Sequence, residues 1–151
     1  LNCPGQIVIS GESAKIAAAV EDGKAKGFQR VIPLNVAGAY HSRLMQPAVE
    51  PFREFLSGIA FEEPKYKVLS TTTGEEIHGS EAIRESILKA VVSPVFWEDC
   101  MVAAAKEGAD KFYELGVNGT LKGQLRRLDK DLECSSYETC EDIASVAVEC
   151  G

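Results

Sequence analysis

The chain has 151 residues, 45% of them hydrophobic, 7% aromatic and 26% charged; this excludes disorder, collagen-like repeats and a coiled coil and fits one globular domain or part of a larger one. No apolar run approaches the roughly 20 residues a bilayer-spanning helix needs, and roughly two-thirds of the unfolded surface can be buried at this length. Sixteen basic against 23 acidic residues leave a formal charge of −7, which argues against nucleic acid and membrane partners, because both attract a basic block that is missing here.

In chain order, the β-branched run Ile7-Val8-Ile9-Ser10 between Gly5 and Gly11 predicts a buried strand. From Ser13, Ile16, Ala17 and Val20 fall at helical spacing, with Gly23 and Gly27 ending the segment. Residues 31–36 predict a second strand, followed by the loop Ala37-Gly38-Ala39-Tyr40-His41-Ser42. Pro47 suits a helix start, and Val49, Phe52, Phe55 and Leu56 supply its apolar stripe ahead of Gly58. A third strand is expected over 66–70, running into Thr71-Thr72-Thr73-Gly74, and a helix capped by Ser80 carries Ile83, Ile87 and Leu88. Ser93-Pro94 breaks that helix. Another is expected over 97–106, then a strand over 111–115, the turn Gly116-Val117-Asn118-Gly119 and a helix over 120–128. From Asp129 the sequence reads as an acidic tail in which 141–148 can form a last helix. This alternation predicts an α/β class with a mainly parallel sheet.

Five cysteines, Cys3, Cys100, Cys134, Cys140 and Cys150, are odd in number, lack any C-x-x-C and have two histidines to join them. That pattern fits neither a disulfide framework nor a zinc site. Scattered thiols in a reducing compartment are expected, which means the cytoplasm, or an organelle's stroma or matrix in a eukaryote. The start at Leu1 is not a signal peptide, and without a methionine it reads as a trimmed product or a fragment.

Histidine is the side chain best suited to proton transfer near neutral pH. His78 lies in a charged loop between Ile77 and Gly79 and reads as exposed and idle. His41 follows a predicted strand, where catalytic groups of α/β folds often sit, and precedes Ser42 and a helix. On position alone, a surface or helix-capping histidine fits it better than a catalytic one.

Four stretches in order go further. Asn2-Cys3-Pro4-Gly5-Gln6-Ile7-Val8-Ile9-Ser10-Gly11, Ala39-Tyr40-His41-Ser42-Arg43-Leu44-Met45-Gln46-Pro47-Ala48, Ser93-Pro94-Val95-Phe96-Trp97 and Phe112-Tyr113-Glu114-Leu115-Gly116 with Leu121 together resemble motifs of the malonyl-CoA:acyl carrier protein transacylases. The acyltransferase domains of fatty-acid and polyketide synthases share them. The match covers residues 1–128 and only the C-terminal half of such an enzyme. The resemblance implies part of an α/β-hydrolase-like core, residues 37–128, and the end of a ferredoxin-like small subdomain, residues 1–36, with 129–151 left as the acidic tail.

It also implies a chemistry. A serine on a G-x-S-x-G elbow attacks the thioester of malonyl-CoA with a histidine as base, and the malonyl group passes to the phosphopantetheine thiol of acyl carrier protein. His41 matches the histidine, held in the family by a backbone carbonyl that falls here at residues 90–92. Tyr40 matches a position where a bulky ring crowds an α-methyl group, which favours malonyl over methylmalonyl. Asn2 matches a residue near the mouth of the substrate cleft. No metal or bound cofactor is implied beyond the CoA thioester itself.

The departures are equally specific. These 151 residues contain no G-x-S-x-G; Gly11-Glu12-Ser13-Ala14-Lys15 fails at its last position. Ser42 is a poor substitute nucleophile, because neighbouring side chains on an extended loop point apart. The chain alone is therefore expected to be inactive and to need the N-terminal half as its partner. Asn118-Gly119 replaces the usual proline-glycine, which the turn survives if both residues take positive φ. Lys122, Arg126, Arg127 and Lys130 form either a docking patch for the acidic carrier protein or an ordinary solvated helix end. Two further readings stay open: an acyltransferase domain of a multidomain synthase, which Ser70-Thr71-Thr72-Thr73-Gly74 fits, and a non-catalytic α/β binding module.

Overall fold

A computed structural model describes residues 2–149, with side chains described as far as residue 144; Leu1 and the thiol of Cys150 lie outside. The chain divides into two compact units, one of Val8–Phe96 and one of Leu1–Ile7 with Trp97–Gly151. Each mixes helix and strand, so the α/β class holds.

In the first unit, α1 (Ser13–Ala25) runs through Gly23 and ends at Lys26, before Gly27 takes φ 80°. It buries no residue. Helix α2 (Gln46–Ser57) starts with Pro47 in its first turn, where the missing N–H costs nothing. Val49 and Leu56 are buried, whereas Phe55 stacks on Phe52 and stays exposed. Helix α3 (Ser80–Ala90) lies against α2 and buries Leu88. The guanidinium of Arg84 donates to the Leu56 and Ile59 carbonyls at and just past the end of α2, and its central carbon lies 4.5 Å from the centre of the Phe61 ring. Ser80 is not the cap of α3: Gly79 holds that position, and the Glu63 carboxylate accepts from the Ser80 N–H instead.

The sheets differ from the expected single, mainly parallel one. The strand expected over 66–70 shortens to β1 (Val68–Ser70), which turns back through Gly74, at φ 78°, to pair antiparallel with β2 (Glu75–Ile77). The strands expected over 7–10 and 31–36 are absent: neither segment joins a ladder with a described residue, and the Val36 N–H turns back to the Leu34 carbonyl. Their apolar side chains are uncovered, with Ile9 61% and Ile32 60% exposed. β-Branched runs become strands only where a neighbouring strand and a covered face are supplied, and no described residue supplies either.

In the second unit, α4 (Trp97–Lys106) buries Cys100, and β3 (Lys111–Leu115) leads through the expected turn to α5 (Thr120–Leu128). Asn118 and Gly119 take φ 73° and 56°, the left-handed pair the turn requires. The segment read as an acidic tail carries more than a last helix. Its β4 (Glu133–Tyr137) pairs parallel with β3 over five residue pairs, and α6 (Cys140–Glu149) follows. Tyr113 and Tyr137, opposite-strand neighbours on one face, stack at 6.0 Å. Cys3, Cys100, Cys134 and Cys140 are free thiols.

Candidate functional site

His41 lies in the loop between the segment 31–36 and α2, in the first unit, and is exposed. Its backbone is left-handed, φ 58°, which costs a non-glycine residue roughly 1–3 kcal/mol and persists only where its surroundings impose it. Three contacts do so. The ring Nδ1 lies 2.7 Å from the Ala90 carbonyl at the end of α3, the neighbourhood that the family pattern indicates. Because a carbonyl only accepts, Nδ1 carries the proton of this bond. In the neutral ring Nε2 is then the free base, and no described residue hydrogen-bonds it. The Ser42 hydroxyl donates to the Ala39 carbonyl at 2.6 Å and accepts from the Leu44 N–H as the cap of a short 3₁₀ turn, Arg43–Met45. That hydroxyl is committed to the loop, in keeping with its dismissal as a nucleophile. The Ser10 hydroxyl donates to the Tyr40 carbonyl at 2.5 Å.

Tyr40 stands next to His41 with its ring 48% exposed, and the ring lies within van der Waals range of the position a side chain on Gly38 would occupy. Asn2 belongs to the other unit. Its N–H donates to the Gln6 carbonyl across a tight reversal, and it lies in a closely packed crease with Trp97, Glu98, Met101 and Gln124 that leaves no room for a ligand. The structure thus joins Tyr40 and His41 in one loop and sets Asn2 in a separate body. His78 is exposed, as expected, and lies 3.7 Å from Glu76 two residues before it. A wider depression of the first unit, lined by Glu50, Arg53 and Glu54, is an open helix face and includes no candidate residue.

Two features escaped the sequence. Ser10 was assigned to a buried strand, and nothing in its surroundings marks it as a partner for a loop 30 residues away. Glu114, quoted only as part of a motif, is a buried carboxylate 7% exposed. It accepts from the Leu121 and Lys122 N–H groups at the start of α5 and from the Ser136 hydroxyl of β4. Burial pushes its pKa up, but the Leu121 and Lys122 amides, with Ser136 and Thr120, outweigh this and hold it below the usual glutamate range. It joins strand, helix and strand.

No protein-family model matches the chain. Individual proteins do. The chain is 34% identical over 143 residues to a malonyl CoA-acyl carrier protein transacylase of Staphylococcus aureus, covering 95% of this chain and 46% of that protein. The crystal structure of the corresponding transacylase from Clostridium perfringens superposes with a TM-score of 0.89 at 29% identity, over 99% of this chain and 47% of that one. A malonyl-transacylase solved in complex with its type II PKS acyl-carrier protein matches with a TM-score of 0.81 at 27% identity, over 91% of this chain and 45% of that one. The chain spans about half the length of the curated relatives it matches.

Proposed function

The chain belongs to the malonyl-CoA:acyl carrier protein transacylases as a counterpart of their C-terminal half, and from this premise we propose that it supplies the base for malonyl transfer to a carrier-protein thiol in fatty-acid biosynthesis. The observation that carries the reading is the His41 ring, fixed through Nδ1 to the Ala90 carbonyl and open at Nε2. A serine on another polypeptide, or on a further part of the same one, gives its proton to Nε2 as it attacks the malonyl thioester. Nε2 returns a proton to the departing CoA sulfur. The carrier thiol then discharges the acyl-serine by the same steps in reverse, with no bound cofactor.

In the assembled enzyme, residues 1–36 close a ferredoxin-like subdomain and 37–128 complete an α/β-hydrolase-like core. The uncovered apolar side chains of 7–9 and 32–36 favour this, since they give an incoming polypeptide unpaired edges and a dry face to cover. Tyr40 narrows the acyl pocket toward malonyl, and Asn2 lines the cleft mouth. Lys122, Arg126, Arg127 and Lys130 are exposed at α5 and its end, and none of them pairs with a carboxylate among the described residues, a charge pattern that suits the acidic carrier protein. The setting proposed is cytoplasmic; separately, no described helix is long and apolar enough to cross a membrane.

Mixing the chain with a polypeptide that bears the G-x-S-x-G half tests the reading. Malonyl transfer from malonyl-CoA to carrier protein is expected from the mixture and not from this chain alone. A folded, stably associated mixture without transfer overturns it.

A further inference from the structure

We propose that Ser10 is a positioning residue for His41, holding the peptide bond ahead of it so that the imidazole reaches Ala90; this rests on reading His41 as the catalytic base. The Tyr40 carbonyl that accepts from Ser10 Oγ at 2.5 Å belongs to the same rigid peptide plane as the His41 N–H. Fixing that carbonyl fixes one side of the torsion at which His41 takes φ 58°.

The other two restraints cannot replace it. The Ser42 bond to Ala39 closes a turn within the loop and leaves that turn free to move as a body. The Ala90 bond holds the ring, but it holds it only while the backbone delivers the ring to that carbonyl. Among the described residues, Ser10 alone hydrogen-bonds the loop's backbone to a segment outside the loop. The same two segments are joined again by Arg43 and Glu12 at 3.5 Å; both side chains are well exposed there, so that pair contributes little. Without the hydroxyl, residue 41 is released toward negative φ, which turns its side chain away from Ala90 and frees Nδ1 to exchange its proton with Nε2.

The test compares Ser10→Ala and Ser10→Thr with wild type in two measurements. In the 151-residue chain, long-range ¹⁵N–¹H NMR of His41 reads which ring nitrogen carries the proton. In the assembly with the serine-bearing half, steady-state kinetics read kcat and KM for malonyl-CoA. Ser10→Ala is expected to mix the tautomers that wild type holds as Nδ1–H, and to lower kcat about tenfold with KM changed less than about twofold, the signature of a misplaced reacting group. Ser10→Thr, which keeps the hydroxyl, is expected to restore both. An unchanged His41 spectrum and kcat in Ser10→Ala overturns the proposal. So does equal damage by alanine and threonine, which would make the position sensitive to shape and not to the hydroxyl. If the wild-type assembly transfers no malonyl, the functional reading fails, while the spectra of the three chains still decide whether Ser10 holds the ring.

Discussion

Replacing His41 with alanine in the assembled transacylase is expected to lower the single-turnover rate of serine acylation by about 10²–10⁴-fold, the range a positioned general base contributes. The exposed ring contributes little to folding, so the melting curve of the chain should stay where it is. His41→Gln separates the two jobs of the imidazole. Its amide can still donate toward the Ala90 carbonyl, which accepts from Nδ1 in the wild type, but it has no site that takes a serine proton. Glutamine should therefore be as slow as alanine. A glutamine variant with near wild-type acylation would show that residue 41 acts by shape or hydrogen bonding and that the base lies elsewhere.

The largest effect on stability is expected at Glu114. Removing its carboxylate with Glu114→Ala strands the first N–H groups of α5 and the Ser136 hydroxyl together, and hydrogen bonds to a buried charged group contribute about 1.5–3 kcal/mol. A loss of about 2–3 kcal/mol is expected, read as a lower urea midpoint at pH 7. The pH dependence follows from the direction of the shift. A carboxylate whose folded pKa lies below its unfolded value, about 4.3, stabilises the fold fully above that value. The contribution is lost as pH falls through 4.3 toward the lower folded pKa. The stability gap between wild type and Glu114→Gln should thus be widest near neutrality and shrink below about pH 4. A gap of constant size across that range would mean that the residue acts by packing alone.

How much of this was legible in the sequence depended on where the information sits. Helices α2, α4 and α5 and strand β3 announced themselves through local signals: Pro47 at a first turn, an apolar stripe, and an Asn-Gly turn with positive φ. The runs 7–10 and 31–36 carry strand composition yet form no strand, because a ladder is a property of two segments and the partner is missing from the described residues. Strands β2 and β4 erred the other way. Glu75-Glu76-Ile77 and Glu133-Cys134-Ser135-Ser136-Tyr137 are too polar to look like strands, and pairing with β1 and β3 makes them so. The resemblance pointed to His41 and to a carbonyl within residues 90–92, and the Ala90 oxygen does lie against its ring. Ser10 was not readable, since a single hydroxyl in an apolar run acquires meaning only when the fold brings Tyr40 to it.

The account stands on a divided active site, and the most direct measurement weighs each polypeptide after a brief exposure to malonyl-CoA. Intact-mass spectra of the separated components are expected to show one malonyl group on the serine-bearing polypeptide and none on the 151-residue chain. A malonyl ester on this chain, formed with or without its counterpart, would place the nucleophile among the residues described and contradict the division.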